Sequence, residues 1–255
     1  MLTVSRLSIT PVRSLALQHP ESVEIGPRGV LDDRRFTLLT QDRRIFDATK
    51  FGPLVAVRAQ LQQNPERLTI TLPDGATIGA EVQLGAHIEA HIYGREFAAR
   101  EVIGPWAAAL SEYAGTQLTL IRSERRPDER DRNDVSIVSE ASVQELSRQG
   151  NGGQPLDARR FRMLIQVAGA RPHQEDEWLG GEVRIGPVVA KITRPDPRCV
   201  ITTQDPETGL RDFPTLHAIK AYRGVRDGKA IDFGVYADVL VPGTVRIGDE
   251  ISPDR

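Results

Sequence analysis

The chain has 255 residues, and its 33 basic against 35 acidic side chains give a net charge of −2, which excludes the strong basic excess of a general polyanion binder; no nucleic-acid partner is expected. A single cysteine, Cys199, rules out an internal disulfide framework, and no apolar run approaches the roughly 18 residues that a membrane span needs. The opening MLTVSRLSIT lacks the basic region, long apolar core and small-residue cleavage site of a secretory signal, so the expected setting is the cytoplasm, away from any membrane.

Short β-like runs separated by Gly, Pro and Asp fill the first part of the chain, at 2–9, 22–25, 36–39, 54–61 and 68–72, the last ending at Pro73-Asp74-Gly75. That rhythm predicts a barrel or sandwich. Helix signals are few. PWAAALSEY at 105–113 places proline in a first helical turn, and SEASVQELSR at 139–148 starts on a capping serine and stops before Gly150. Between them, 123–134 (SERRPDERDRND) reads as a solvated loop or connection, and the domain boundary is placed there, giving units 1–122 and 123–255. Strands are predicted at 160–167, 182–185, 188–192, 233–241 and 244–247. A helix is predicted at 215–223 with Leu216, Ile219 and Tyr222 on one face.

Chemistry concentrates at 194–211, RPDPRCVITTQDPETGLR. Cys199 follows Arg198 directly and precedes a β-branched run, 200–203, that reads as a strand entrance. A lone cysteine is often a small buried hydrophobe, but arginines at 194, 198 and 211 make a reactive thiolate an equal reading. His87 and His91 share a face in either helix or strand, without an obvious third ligand nearby. Asp32-Asp33-Arg34-Arg35 and Glu175-Asp176-Glu177 read as local ion pairs and turn residues in preference to paired catalytic carboxylates. There is no P-loop, no GxGxxG after a strand, no GxSxG and no HExxH, which removes the common nucleotide, hydrolase and zinc-protease readings. Only four of the 33 basic residues are lysines, so arginine abundance is a property of the whole chain and each functional arginine needs its own reason.

Four segments in one order resemble the MOSC family, named for the C-terminal domain of molybdenum cofactor sulfurases. They are TPVRS at 10–14; GVLDDRRF at 29–36; DARRFRMLIQVAG at 157–169 with EDEW at 175–178; and RCVITTQDPETG at 198–209, followed by FGVY at 233–236 and PGTVRIGD at 242–249. The resemblance implies a mainly β fold with a few short helices, in which a C-terminal MOSC β-barrel follows an N-terminal β-barrel-like domain. It implies a molybdenum cofactor (molybdopterin) between the two, with Cys199 as metal ligand and catalytic centre. It carries cofactor-binding roles onto Arg13, Ser14, Arg34, Arg162 and Arg198. A thiolate suits a soft metal, and guanidinium forks suit the phosphate that ends the pterin.

In the branch that includes the mitochondrial amidoxime reducing component, the resemblance implies reduction of small N-hydroxylated compounds, with electrons from a separate flavin or iron–sulfur protein. Two alternatives stand beside it: a carrier in which Cys199 receives a persulfide from a cysteine desulfurase, and a non-catalytic module that binds or hands over the cofactor. The chain departs from that branch at two places. Arg13 stands where many members have lysine, and Asp196 stands where they have a second cysteine, three residues before Cys199.

Overall fold

Alternating apolar residues dictate the C-terminal architecture. Along strand Val188–Pro197, Val188, Ala190 and Ile192 are buried while Lys191 and Thr193 face solvent, the period-2 pattern of a sheet with one face on a core. Seven strands close into a barrel in the order Leu2–Leu7, Ile165–Ala168, Val135–Ser139, Asp232–Val241, Val188–Pro197, Glu182–Ile185 and Glu250–Pro253, the last returning to the first. Closure removes every free sheet edge. Only Val135–Ser139 and Ile165–Ala168 run parallel; the other neighbours are antiparallel. The computed structural model describes residues 1–92, 95–123 and 134–254; most of the charged stretch expected as a connection, 124–133, lies outside the described residues, and the expected boundary between 122 and 123 falls at the end of strand Leu118–Ser123.

The first strand, Leu2–Leu7, is part of the barrel: it pairs with Ile165–Ala168 on one side and Glu250–Pro253 on the other. The next, Ser22–Gly26, pairs with Gly243–Arg246. The chain then builds a five-stranded sheet in the order Ile45–Phe46, Phe36–Thr40, Leu118–Ser123, Arg95–Ile103, Gln83–Ile92, and a three-stranded sheet of Arg58–Gln62, Arg67–Thr71 and Thr77–Glu81. Their shared core includes Phe36, Leu38, Leu54, Leu120 and the fully buried Trp106, whose Nε1–H donates to the Leu68 carbonyl at 3.1 Å. Burying each such side chain contributes about 1.5–3 kcal/mol.

The described residues form three short helices: α1 (Trp106–Ala114), α2 (Glu140–Gly150) and α3 (Thr215–Arg223). Ser139 caps α2, its Oγ accepting from the Ser142 N–H at 3.1 Å. Helices α2 and α3 cover one side of the barrel through Val143, Leu146 and Ile219, packed with Phe161 and Phe233, whose rings stack 4.4 Å apart. Glu175 is fully buried here. Its Oε1 accepts from the Ser139 N–H (3.1 Å) and the Ser142 hydroxyl (2.7 Å), pinning the turn Gln174–Trp178 to the start of α2. Of the three expected ion-pairing acids, only Asp176 (with Arg223) and Glu177 (with Arg171) form ion pairs.

Several predicted strands are shorter or broken. The run at 160–167 begins as a 3-10 turn, Ala158–Phe161, because the Asp157 side chain accepts from the Arg159 N–H at 2.8 Å; only Ile165–Ala168 is extended. The run at 200–203 is no strand entrance but a 3-10 turn, held by the Thr202 hydroxyl on the Cys199 carbonyl (3.0 Å) and the Thr203 hydroxyl on the Val200 carbonyl (2.7 Å). The run at 54–61 splits at Val57 into the 3-10 turn Gly52–Ala56 and a strand. His87 and His91 lie exposed on strand Gln83–Ile92, with His91 Nδ1 3.9 Å from Glu96 Oε1.

Candidate functional site

The segments quoted for their motifs meet at one place. In TPVRS, Pro11 and Val12 are buried, and the Arg13 N–H donates to the Phe36 carbonyl at 2.8 Å, so the turn lies against the strand that follows DDRRF. The two segments are cross-tied: the Thr10 N–H donates to Asp33 Oδ1 (2.8 Å), and the Arg34 N–H donates to the Thr10 carbonyl (2.6 Å). The third segment joins through side chains. Arg34 Nη2 donates to the Arg162 carbonyl at 2.9 Å, and Arg162 Nη2 donates to the Leu15 carbonyl at 2.6 Å, across 128 and 147 positions of sequence respectively.

Backbone conformation marks the same residues. Ser14, Arg34 and Arg162 have φ of 70°, 52° and 53°, three of the seven non-glycine residues with positive φ among the described residues. Side chains with a Cβ adopt this region at a cost, and such residues occur in turns and cluster at binding and catalytic sites.

Charge is concentrated there too. Arg162 is half-buried, and its pKa is pushed from the ordinary arginine range down to about 9, first by desolvation and then by the neighbouring Arg34 and Arg13 cations, with Asp33 opposing. Guanidinium groups gathered in this way make a setting that suits an anion, by charge and by the fork geometry of their donors.

The fourth segment lies beside them. Strand Val188–Pro197 slips register against Asp232–Val241 between Pro195 and Pro197, and Asp196 sits at this bulge, 2% exposed. Its carboxylate takes Arg198 Nη1 as an ion pair and shares a hydrogen bond with Tyr236. Burial pushes the Tyr236 hydroxyl up, and Asp196 adds to this. Arg194 lies over the Tyr236 ring at 4.8 Å. Arg198 Nη1 also approaches Met163 Sδ at 3.1 Å, and its Nη2 donates to the Phe161 carbonyl. Arg198 Nε is buried without a partner among the described residues.

Cys199 follows as the residue before the 3-10 turn Val200–Thr203. It is exposed, which overturns the reading of a buried small hydrophobe. The next loop is clamped to the other half of the molecule: the Gln204 side chain donates to the Ala48 carbonyl at 2.7 Å, and Gly209 lies directly on Gly52.

A chain-length match to two family descriptions decides what this constellation belongs to: the MOSC domain over residues 124–252 and the MOSC N-terminal beta barrel domain over 1–114. The chain belongs to the MOSC family. Curated relatives are the Mus musculus mitochondrial amidoxime-reducing component 1, 26% identical over 98% of this chain and 81% of that protein, and the Homo sapiens component 1, 27% identical over 98% and 82%. Component 2 of Rattus norvegicus is 26% identical over 98% of this chain and 82% of its own. Membership in the MOSC family fits the mainly β fold and its closed barrel. No helix of the described residues is long and apolar enough to cross a membrane.

Of the site residues expected from the MOSC motifs, the structure joins Arg34 to Arg162 by hydrogen bonding, sets Arg13 within their electrostatic reach and places Ser14 on the same turn. Arg198 touches the residues flanking Arg162. Sequence reasoning missed Asp33, Asp196 and Tyr236 as parts of this site. Asp196 was visible only as the residue replacing a second cysteine, and Tyr236 reaches it through a strand pairing that spacing alone does not reveal.

Proposed function

We propose that this MOSC protein is a molybdenum-cofactor-dependent reductase of small N-hydroxylated compounds. The observation that carries it is the gathering of Arg34 and Arg162, with Arg13 in their electrostatic reach, beside the segment that presents an exposed Cys199. A phosphate-bearing pterin with a soft metal fits this donor set: guanidinium groups and the Ser14 turn for the phosphate end, the partnerless Arg198 Nε as a further donor, and one thiolate for the metal. When bound, the cofactor supplies two-electron oxygen-atom chemistry that no side chain here can perform. Conversion of an N–OH group to N–H and water takes two electrons and two protons, with the electrons arriving from a separate flavin or iron–sulfur protein.

The chain's own part is to bind, orient and exclude. Arg13, Ser14, Arg34, Arg162 and Arg198 hold the cofactor, and Cys199 ligates molybdenum. On this reading units 1–122 and 123–255 each contribute to the grip, with Leu2–Leu7 anchoring the first unit in the barrel of the second. The names of the curated relatives support the substrate class. Purified from a host that makes the cofactor and supplied with a chemical reductant, the protein should convert an aromatic amidoxime to the amidine, and Cys199→Ser should not. Cofactor-loaded protein inert toward amidoximes and hydroxylamines alike would refute the reading.

The exposure of Cys199 also favours a second reading, persulfide carriage. Incubation with a cysteine desulfurase and cysteine would then add one sulfur mass to Cys199, and no added mass would count against it.

A further inference from the structure

Arg162 sits in a left-handed turn that a β-unbranched but bulky side chain does not adopt unaided. Two consecutive carbonyls of that turn, Phe161 and Arg162, are each taken by a different arginine from a distant part of the chain. Arg198 Nη2 donates to the Phe161 carbonyl, and Arg34 Nη2 donates to the Arg162 carbonyl at 2.9 Å. Each of those arginines is in turn held by one aspartate close to it in sequence: Arg198 by Asp196 and Arg34 by Asp33. Both aspartates are buried, at 2% and 8% exposure, and both are fixed by a second bond, Asp196 to Tyr236 and Asp33 to the Thr10 N–H at 2.8 Å.

The arrangement is a pair of Asp–Arg clamps closing on the two sides of one turn. With both Nη groups of Arg198 so used, its buried Nε is the donor without a protein partner among the described residues. An arginine paired to a carboxylate and bonded to a carbonyl is a rigid strut, because the planar fork fixes the direction of each donor.

We propose that Asp33 and Asp196 are positioning residues, which act through Arg34 and Arg198 to hold the Arg162 turn in the conformation that receives an anionic phosphate. This rests on the anion-site reading above and deepens it: the carboxylates that lower the local positive charge nonetheless strengthen anion binding. Asp196 thereby has a purpose at the position where a second cysteine stands in the related reductases.

Simple electrostatics and the clamp predict opposite signs, which makes the proposal testable. Removing a negative charge beside an anion site should tighten anion binding if charge alone matters. If the clamp matters, Asp196→Asn should loosen it, by about tenfold, the scale on which supporting partners of a ligand shell act. The full chain, purified free of cofactor, would be titrated calorimetrically with inorganic phosphate at low ionic strength, with near-ultraviolet circular dichroism as the check on folding.

Arg162→Ala should abolish most phosphate binding, and Asp196→Asn and Asp33→Asn should each weaken it. In the Arg162→Ala background the Asp196→Asn step should change affinity by less than about twofold, since the carboxylate has lost the group it acts through. Arg198→Lys keeps the charge, loses the fork and should weaken binding likewise, which answers the question should Asp196→Asn not fold. Unchanged or tighter phosphate binding in folded Asp196→Asn or Arg198→Lys overturns the clamp alone. Wild-type affinity in Arg162→Ala overturns the anion site, and the clamp with it.

Discussion

Gly209→Ala tests how the Cys199 segment is held. Gly209 has φ of +72°, and a Cβ there would overlap the Gly52 carbonyl and stand 2.8 Å from Pro53 N. All of these atoms are backbone, so no side chain can swing aside. The contact ties the loop after Cys199 to the 3-10 turn Gly52–Ala56, beside the Gln204 bond to Ala48. Two costs add: alanine in a left-handed conformation, about 1–2 kcal/mol, and separation of two packed backbones, at least about 2 kcal/mol more.

Gly115→Ala is the control. Gly115 ends α1 with φ of +65°, and a Cβ there meets nothing within 4 Å, so it carries only the first cost. Urea denaturation of the two variants should differ by about 2 kcal/mol, roughly 4–8 °C in Tm for a chain of this size. Equal losses would refute the reasoning, because they would leave the close approach without energetic weight.

Other outcomes follow from the same contacts. Glu175→Ala leaves the Ser139 N–H and Ser142 hydroxyl without their buried acceptor, and should cost about 3 kcal/mol in chemical denaturation. Arg162→Ala in protein made with the cofactor should lower pterin content about tenfold while the thiol of Cys199 still reacts with maleimide. His173 is pushed down to about 4, first by burial and then by Arg223. A histidine whose folded value lies below its ordinary 6.5 favours folding above pH 6.5, and that contribution is lost as pH falls towards 4. Discounted for the part of the ring that reaches solvent, the loss is about 1–2 kcal/mol. Thermal unfolding between pH 7 and 4.5 should show it, and His173→Gln should flatten that part of the profile.

Much of this molecule is legible in the sequence where a local rule governs. Ser139 and the run after it specify α2, the 215–223 period specifies α3, and alternation specifies the Val188–Pro197 and Asp232–Val241 strands. Local rules fail where side chains compete for the backbone. Asp157, Thr202 and Thr203 turn two apolar, strand-like runs into 3-10 turns, and both lie at the site. The arginines of the site are legible as motif positions, but their partners are not. Asp33 reads as half of a local ion pair until its second oxygen is found on the Thr10 N–H, and Asp196 meets Tyr236 where a bulge shifts the register of two strands. The long pairing of Gln83–Ile92 with Arg95–Ile103 escapes notice because its apolar and polar residues do not alternate cleanly.

The coordination of molybdenum by Cys199 is tested most directly by X-ray absorption on protein from a cofactor-producing host. Cys199→Ser should show one molybdenum–sulfur contact fewer than the parent, with folding unchanged because the residue is exposed. Identical sulfur coordination in the two proteins, or a folded parent that takes up no molybdenum, would contradict it.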